Sequence, residues 1–175
     1  KGNINDELFK VYEDLAKGGV GTIITGITSV TDLEEFIPGQ MGIYNDSFID
    51  NHKKIIEVTQ KHNTNIILQL GAAGTQTIRN EEKAILGPSN ITDLGYKNTP
   101  KEMTLEEIVS IQIDFANAAL RAKKAGYDGI QIHAAHGYLL SKFLTPYYNR
   151  RTDEYGGSID NLSLIHISER AGQAD

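Results

Sequence analysis

His133-Ala134-Ala135-His136-Gly137-Tyr138 places two imidazoles and a phenol within six residues, directly after the apolar run Ile130-Gln131-Ile132. Imidazole N–H groups aimed at one point can stabilise an oxyanion as it develops. A phenol, with an ordinary pKa of about 10, stays protonated at neutral pH and can deliver a proton. The same residues allow other chemistry. A His-x-x-His pair can ligate zinc, although no carboxylate at the usual spacing accompanies this one. Either imidazole, or the phenol of Tyr138, can equally be a buried polar group satisfied by its neighbours.

A second polar stretch follows Phe143-Leu144-Thr145-Pro146. Residues 149–158, Asn-Arg-Arg-Thr-Asp-Glu-Tyr-Gly-Gly-Ser, combine charge with glycine. They read either as part of a site or as a solvated loop. Gln69, near the end of the apolar run Asn65-Ile66-Ile67-Leu68-Gln69-Leu70, is a third candidate, since an amide donates and accepts at once. A core hydrogen-bonding role is the alternative for it.

These groups need elements to hold them, and the spacing predicts three helix-then-strand units. Leu8, Val11, Tyr12 and Leu15 recur at helical spacing behind Asn5 and Asp6, and Gly18-Gly19 ends that helix. Residues 20–25 are short, uncharged and β-branched, which predicts a strand closed by Gly26. Ser47 is expected to open a second helix with the stripe Phe48, His52, Ile55 and Thr59, leading into a strand ended by Gly71. Thr104-Leu105-Glu106-Glu107 is a capping box for a third helix with the stripe Ile108, Ile111, Phe115, Ala119 and Ala122. Gly126 stops it, and a strand over residues 128–133 follows.

Strands apolar on both faces and alternating with helices predict a parallel sheet under helical cover. A doubly wound sheet and a (β/α)₈ barrel both begin this way. The long connections all lie after the strands, at residues 27–46, 71–103 and beyond 133, and that asymmetry leans towards the barrel, whose sites sit on the carboxyl-terminal face. Alternation puts Ile130 and Ile132 under the helices, with Gln131 and His133 on the opposite, inward face. Gln69 is inward by the same rule, and Leu68 and Leu70 outward.

Composition narrows the functions. A formal net charge of −6, with Arg121, Lys123 and Lys124 as the densest basic cluster, argues against nucleic acid. The chain has no cysteine, which removes thiol catalysis and thiolate ligation. No apolar run approaches the roughly 18 residues of a membrane span, and the first residues lack a signal peptide's apolar core. The expected setting is the cytoplasm, with a small-molecule substrate and no membrane partner. The chain does not begin with methionine and is shorter than the roughly 250 residues of a full barrel, so a partial barrel is expected.

The run from His133 to Tyr138, then Phe143 to Pro146, Asn149, Arg151, Asp153 and Tyr155-Gly156-Gly157-Ser158, resembles the signature of the old yellow enzyme family of FMN-dependent ene-reductases and NADH:flavin oxidoreductases. Gly21-Thr22-Ile23-Ile24-Thr25-Gly26, Gln69-Leu70 and Gly87-Pro88-Ser89 match as well. The resemblance implies that residues 1–161 are the amino-terminal half of an FMN-binding TIM barrel. It implies a reaction passing hydride from NADH or NADPH through FMN to the C=C bond of an α,β-unsaturated carbonyl compound, in a full-length protein open to homo-oligomerisation.

Gln69 would meet the pyrimidine edge of the flavin, and Gly26 and Ile27 would lie against it. His133 and His136 would hold the substrate carbonyl oxygen, and Tyr138 would donate the proton. Two stretches depart from the family pattern. Many members have Gln-Leu-x-His-x-Gly-Arg where this chain has Gln69-Leu70-Gly71-Ala72-Ala73-Gly74-Thr75, so no ligand contact is carried over to residues 71–75. Residues 162–175 do not follow the family's next helix and read as an atypical tail. Two rival readings stand beside this one: a non-catalytic piece of such an enzyme, and a metal-dependent barrel hydrolase.

Overall fold

The computed structural model describes residues 2–33, 36–77 and 84–162. Helix α1 (Asp6–Lys17) is capped by Asn5, whose Oδ1 accepts the Leu8 N–H at 2.9 Å, and Asp6 and Glu7 lie at its positive end. Strand β1 (Thr22–Ile24) follows, then the two-residue strand β2 (Thr28–Ser29). A single 3₁₀ turn at Asp46–Phe48 leads into α2 (Ile49–Gln60). Asn45 caps the 3₁₀ turn, its side chain accepting the Ser47 N–H at 2.8 Å, and α2 itself, entered through Phe48, has no side-chain cap. Strand β3 (Asn65–Gly71) comes next, then a short pair, β4 (Leu86–Gly87) with β5 (Lys101–Glu102), inside the long connection to α3. Helix α3 (Leu105–Ala125) has the capping box of Thr104 and Glu107 and ends on Gly126 at φ 100°, a left-handed geometry that favours glycine. Strand β6 (Gly129–Ile132) and the short helix α4 (Leu139–Phe143) complete the order.

β3 is central. It pairs in parallel with β1 and β2 along one edge and with β6 along the other. The expected strands are therefore adjacent and parallel, with Gly26, Gln69 and His133 at the same end. β1 is shorter than the predicted span of residues 20–25. Ile66, Leu68 and Leu70 are 0% exposed beneath α2 and α3, with Ile55, Ile108 and Phe115 among their companions in one core. Ile130 and Ile132 pack against that core while Gln131 is exposed, as the alternation predicts.

β1 and β2 are two pieces of one edge strand, interrupted at the site. Ile24 is level with Ile67 and Thr28 with Leu70, so residues 25–27 oppose only residues 68 and 69. That extra residue is a β-bulge, a device that bends a strand and re-aims its backbone. Thr25 holds it: its N–H donates to the Ile67 carbonyl at 2.9 Å, and its Oγ1 accepts the Gln69 N–H at 3.0 Å in place of a ladder carbonyl. A hydroxyl thus satisfies the buried donor that the bulge would otherwise orphan.

Candidate active site

The bulge presents Gly26 and Ile27 at the carboxyl end of the sheet. The Gly26 N–H donates to the Tyr12 hydroxyl at 3.1 Å, tying the bulge to α1, and a Cβ at Gly26 would meet nothing within 4 Å. That open backbone is suited to the flat face of a ring. Ile27 crosses the end of β3, where Gly71 gives it room: a Cβ on Gly71 would lie 2.5 Å from Ile27 Cδ1. Gln69 Nε2 donates to Gln131 Oε1 at 2.6 Å across the register-matched pair of β3 and β6. Among the described residues, Oε1 of Gln69 and its second amide hydrogen have no other partner. One donor and one acceptor, held side by side, fit an edge that alternates C=O and N–H, as the pyrimidine edge of a flavin does.

His133 continues β6 by donating its backbone N–H to the Leu70 carbonyl at 2.8 Å. Its Nδ1 accepts the Ala135 N–H at 3.3 Å, which assigns the proton to Nε2. Burial, and secondarily the neighbouring His136, push the His133 pKa below its ordinary 6.5. The ring is therefore neutral at pH 7, with a single N–H directed away from its own backbone. The His136 and Tyr138 ring centroids each lie 5.0 Å from that of His133. Phe36 packs edge-on against Tyr138 at 4.8 Å. Burial, followed by the nearby Tyr96, raises the Tyr138 pKa above 10, so the phenol is a proton carrier at neutral pH.

The turn that gathers these rings is of the mirror-image kind. The Tyr138 N–H donates to the Ala135 carbonyl at 3.2 Å, and the two residues between them, His136 at φ 58° and Gly137 at φ 79°, both lie in the left-handed region. His136 is one of three non-glycine residues there among the described residues. Such strain costs of order 1–3 kcal/mol and persists where the surroundings over-determine it. Gln76 does part of this work, donating Nε2 to the His136 carbonyl at 2.8 Å. The Leu139 N–H, donating to the Ala72 carbonyl at 3.1 Å, does another part.

Residues 149–158 are a fastener rather than a solvated loop. Asn149 Nδ2 donates to the carbonyls of Phe143 and Tyr155, both at 2.8 Å. Arg151, with a side chain 4% exposed, donates Nη1 to the carbonyls of Pro88 and Met103 at 3.0 and 2.7 Å, and grips Asp153 with its other nitrogens. A Cβ on Gly156 would lie 2.2 Å from the Arg151 carbonyl oxygen. The segment thus pins α4 to the carboxyl ends of both β4 and β5, outside the His133–Tyr138 turn.

Sequence reasoning missed two groups. Lys142, the one charge in the apolar stretch of α4, is buried and ion-paired with Asp93 at 2.6 Å. A lysine at an otherwise core-facing position was the available signal. His52 lies on the predicted stripe of α2 but is polar and 0% exposed, its Nδ1 2.8 Å from the Tyr127 hydroxyl and its Nε2 3.0 Å from the Gly42 carbonyl. Among the described residues no group of three or more His, Cys, Asp or Glu forms a metal site, and no helix is long and apolar enough to cross a membrane. The atypical tail falls, from residue 163 onward, outside the described residues.

Residues 1–163 match the NADH:flavin oxidoreductase / NADH oxidase family. An NADPH dehydrogenase of Geobacillus sp. (strain WCH70) is 41% identical over 150 residues, covering 86% of this chain and 44% of that protein. An NADPH dehydrogenase of Listeria monocytogenes serotype 4b is 38% identical over 164 residues, 94% of this chain and 48% of that protein. Among solved structures, Old Yellow Enzyme from Pichia sp. AKU4542 superposes with a TM-score of 0.88 at 30% identity, covering 97% of this chain and 47% of the other. Morphinone reductase in complex with tetrahydroNAD gives 0.84 at 26% identity, with coverage of 92% and 50%. The parallel strands and outer helices are those of the amino-terminal half of a (β/α)₈ barrel. The chain spans about half the length of the curated relatives it matches.

Proposed function

Because the chain belongs to the NADH:flavin oxidoreductase / NADH oxidase family, we propose that it carries the ring-binding half of an FMN-dependent enzyme that reduces the C=C bond of α,β-unsaturated carbonyl compounds. The observation that carries this reading is the cluster of His133, His136 and Tyr138, with ring centroids 5.0 Å from His133, at the same sheet end as the paired amides Gln69 and Gln131. FMN, when bound, supplies hydride transfer from N5. NADPH is the favoured donor, since the relatives are NADPH dehydrogenases, with NADH the alternative.

In this assignment Gln69, oriented by Gln131, holds the pyrimidine edge of the cofactor, and Gly26 and Ile27 support the ring. His133 offers its Nε2–H, and His136 its own N–H, to the carbonyl oxygen of the substrate. As hydride reaches the β-carbon, negative charge moves onto that oxygen, and two preorganised donors stabilise it. Tyr138 then gives its proton to the α-carbon and recovers one from solvent. Atoms balance as one hydride and one proton across the double bond.

The phosphate end of the cofactor would be held by the part of the barrel beyond this chain. We place residues 1–161 in a single barrel unit, acting on a small molecule in the cytoplasm, not on nucleic acid or membrane, with a homo-oligomer as the proposed full-length assembly. The rival reading of a non-catalytic piece is favoured by one observation, the unpartnered outer edges of β1 and β6 among the described residues.

The test uses full-length protein carrying this sequence. Titrating the flavin with a phenol and following the long-wavelength charge-transfer band should give a dissociation constant that rises by about 1 to 3 kcal/mol of binding free energy in the double variant His133→Ala, His136→Ala, the usual cost of an unpaired polar ligand atom. FMN should stay bound. An unchanged dissociation constant would reject the roles given to the two histidines.

A further inference from the structure

Lys142 and Asp93 form an ion pair that stability alone does not explain. Their side chains are 2% and 3% exposed, Nζ lies 2.6 Å from Oδ2, and Nζ also sits 3.3 Å from the centroid of the Tyr148 ring. Burying two charges is costly, and apolar residues of similar size often do as well or better, so such pairs are a weak source of stability. What this pair does is join segments. Asp93 Oδ2 also accepts the Thr75 hydroxyl at 3.0 Å, and its Oδ1 accepts the N–H groups of Gly95 and Tyr96 at 2.8 and 2.7 Å. Thr75 and Gln76 share the 3₁₀ turn Gly74–Gln76, and Gln76 donates to the His136 carbonyl.

The contacts close into a ring around the strained turn. From His136 the path runs through Gln76 and Thr75 to Asp93, across to Lys142, and back one helical turn, where the Lys142 N–H donates to the Tyr138 carbonyl at 3.0 Å. Gly74, at φ 58°, lies against Leu139, where a Cβ would be 3.2 Å from the Leu139 Cα. His136 and Tyr138 are thus held from both sides by one charged pair, and the left-handed φ of His136 is the kind of conformation that needs such bracing.

We propose that Asp93 and Lys142 are positioning residues for the reductive chemistry, holding the His136–Gly137 turn and the Tyr138 phenol at the spacing that carbonyl binding and proton delivery require. This rests on the function proposed above. Both are buried, and they act through Gln76 and the first turn of α4.

The decisive variants, in the full-length flavin-loaded protein, are Lys142→Met and the double change Asp93→Asn, Lys142→Met. The double variant removes both charges while the Asn oxygen still accepts from Gly95 and Tyr96, so it folds even where the single variant leaves a buried carboxylate unpaired. Stopped-flow measurement separates the two half-reactions. Flavin reduction by NADPH should stay within about twofold of the parent, and flavin reoxidation by 2-cyclohexen-1-one should slow by at least about tenfold, at the low end of what a displaced general acid costs. Lys142→Arg, which keeps the charge, should recover part of the lost rate.

Reoxidation within about twofold of the parent would overturn the proposal, and so would an equal loss in both half-reactions, which marks a general structural defect. Should the parent itself fail to reoxidise with the enone, the proposed function fails and this inference with it. That outcome is told apart because it appears before any substitution is made.

Discussion

At the residue scale, the turn after β6 depends on a small set of atoms. His133 is made a donor by its own loop, since the Ala135 N–H occupies Nδ1 and leaves Nε2 to carry the proton. His136 and Gly137 take left-handed backbone so that the second imidazole and the phenol come back beside the first. Gly137 is the sensitive position, because a Cβ there would lie 2.5 Å from Gln76 Nε2 and its φ is 79°. Gly137→Ala should therefore displace the Gln76 amide from the His136 carbonyl and cost about 1 to 3 kcal/mol of stability. Urea unfolding of the variant beside Gln76→Ala is the check. If strain is the larger part, the glycine variant is the less stable of the two; equal midpoints would show that only the hydrogen bond mattered.

Element packing offers a pH-dependent test through His52, which joins α2 to the Gly42 carbonyl and to Tyr127 ahead of β6. Burial lowers the His52 pKa below 6.5, and Tyr127, also buried, is raised above 10, so the pair is neutral throughout the neutral range. An unfolded chain takes up a proton on this histidine near pH 6.5, whereas the folded chain does not until a lower pH. The unfolded state then holds more protons in that window, and stability falls as pH drops from 6.5 towards the folded pKa, with no contribution from His52 above it. His133, whose pKa is also lowered, adds slope of the same sign, so His52→Gln should reduce the slope just below pH 6.5 without abolishing it. Carboxylates whose pKa values are lowered, Asp93 and Asp153 among them, act further down and should leave that window unaltered. A slope identical in both proteins would show that His52 takes its proton without unfolding.

The helices and main strands were legible because each rests on local signals: the Thr104–Glu107 box, the stop at Gly126, and the alternation that turns Leu68 outward into the core under the helices and Gln69 to the opposite, inward face. The bulge was not. Thr25 reads as one more β-branched strand residue, and only the register against β3 shows that its hydroxyl replaces a carbonyl. The Lys142–Asp93 pair and the Arg151 clasp were equally hidden. Each joins residues tens of positions apart, and no periodicity reports such a contact.

On the scale of the whole molecule, the sheet presents open edges. Among the described residues β1 and β6 each have one neighbour only, and Ile24, on the inward face, is 50% exposed. Barrels avoid aggregation by leaving no edge, and unpaired edges invite pairing with other chains. The 175-residue chain on its own is expected to be weakly stable, to associate, and to purify without bound flavin, because the ring contacts alone would have to hold the cofactor. Absorbance near the flavin bands after gel filtration decides this. Stoichiometric FMN on a monomer would show that Gln69, Gly26 and their neighbours suffice.

The clasp made by Asn149, Arg151 and Gly156 bears on how a protein of this kind is diagnosed. That segment supplies much of the recognisable text of the chain, yet its side chains hold carbonyls of the scaffold and, among the described residues, reach neither the histidines nor Tyr138 through any hydrogen bond. A descendant could keep this text letter for letter, because it holds the scaffold together, and still lack the proposed chemistry through a change at His133 or Gln69. Conversely, a working catalyst could drift in these letters if another clasp replaced the first. Strength of recognition and competence in catalysis are then separate quantities, and under the proposed function it is the short stretch from His133 to Tyr138, with the amide of Gln69, that informs on the second.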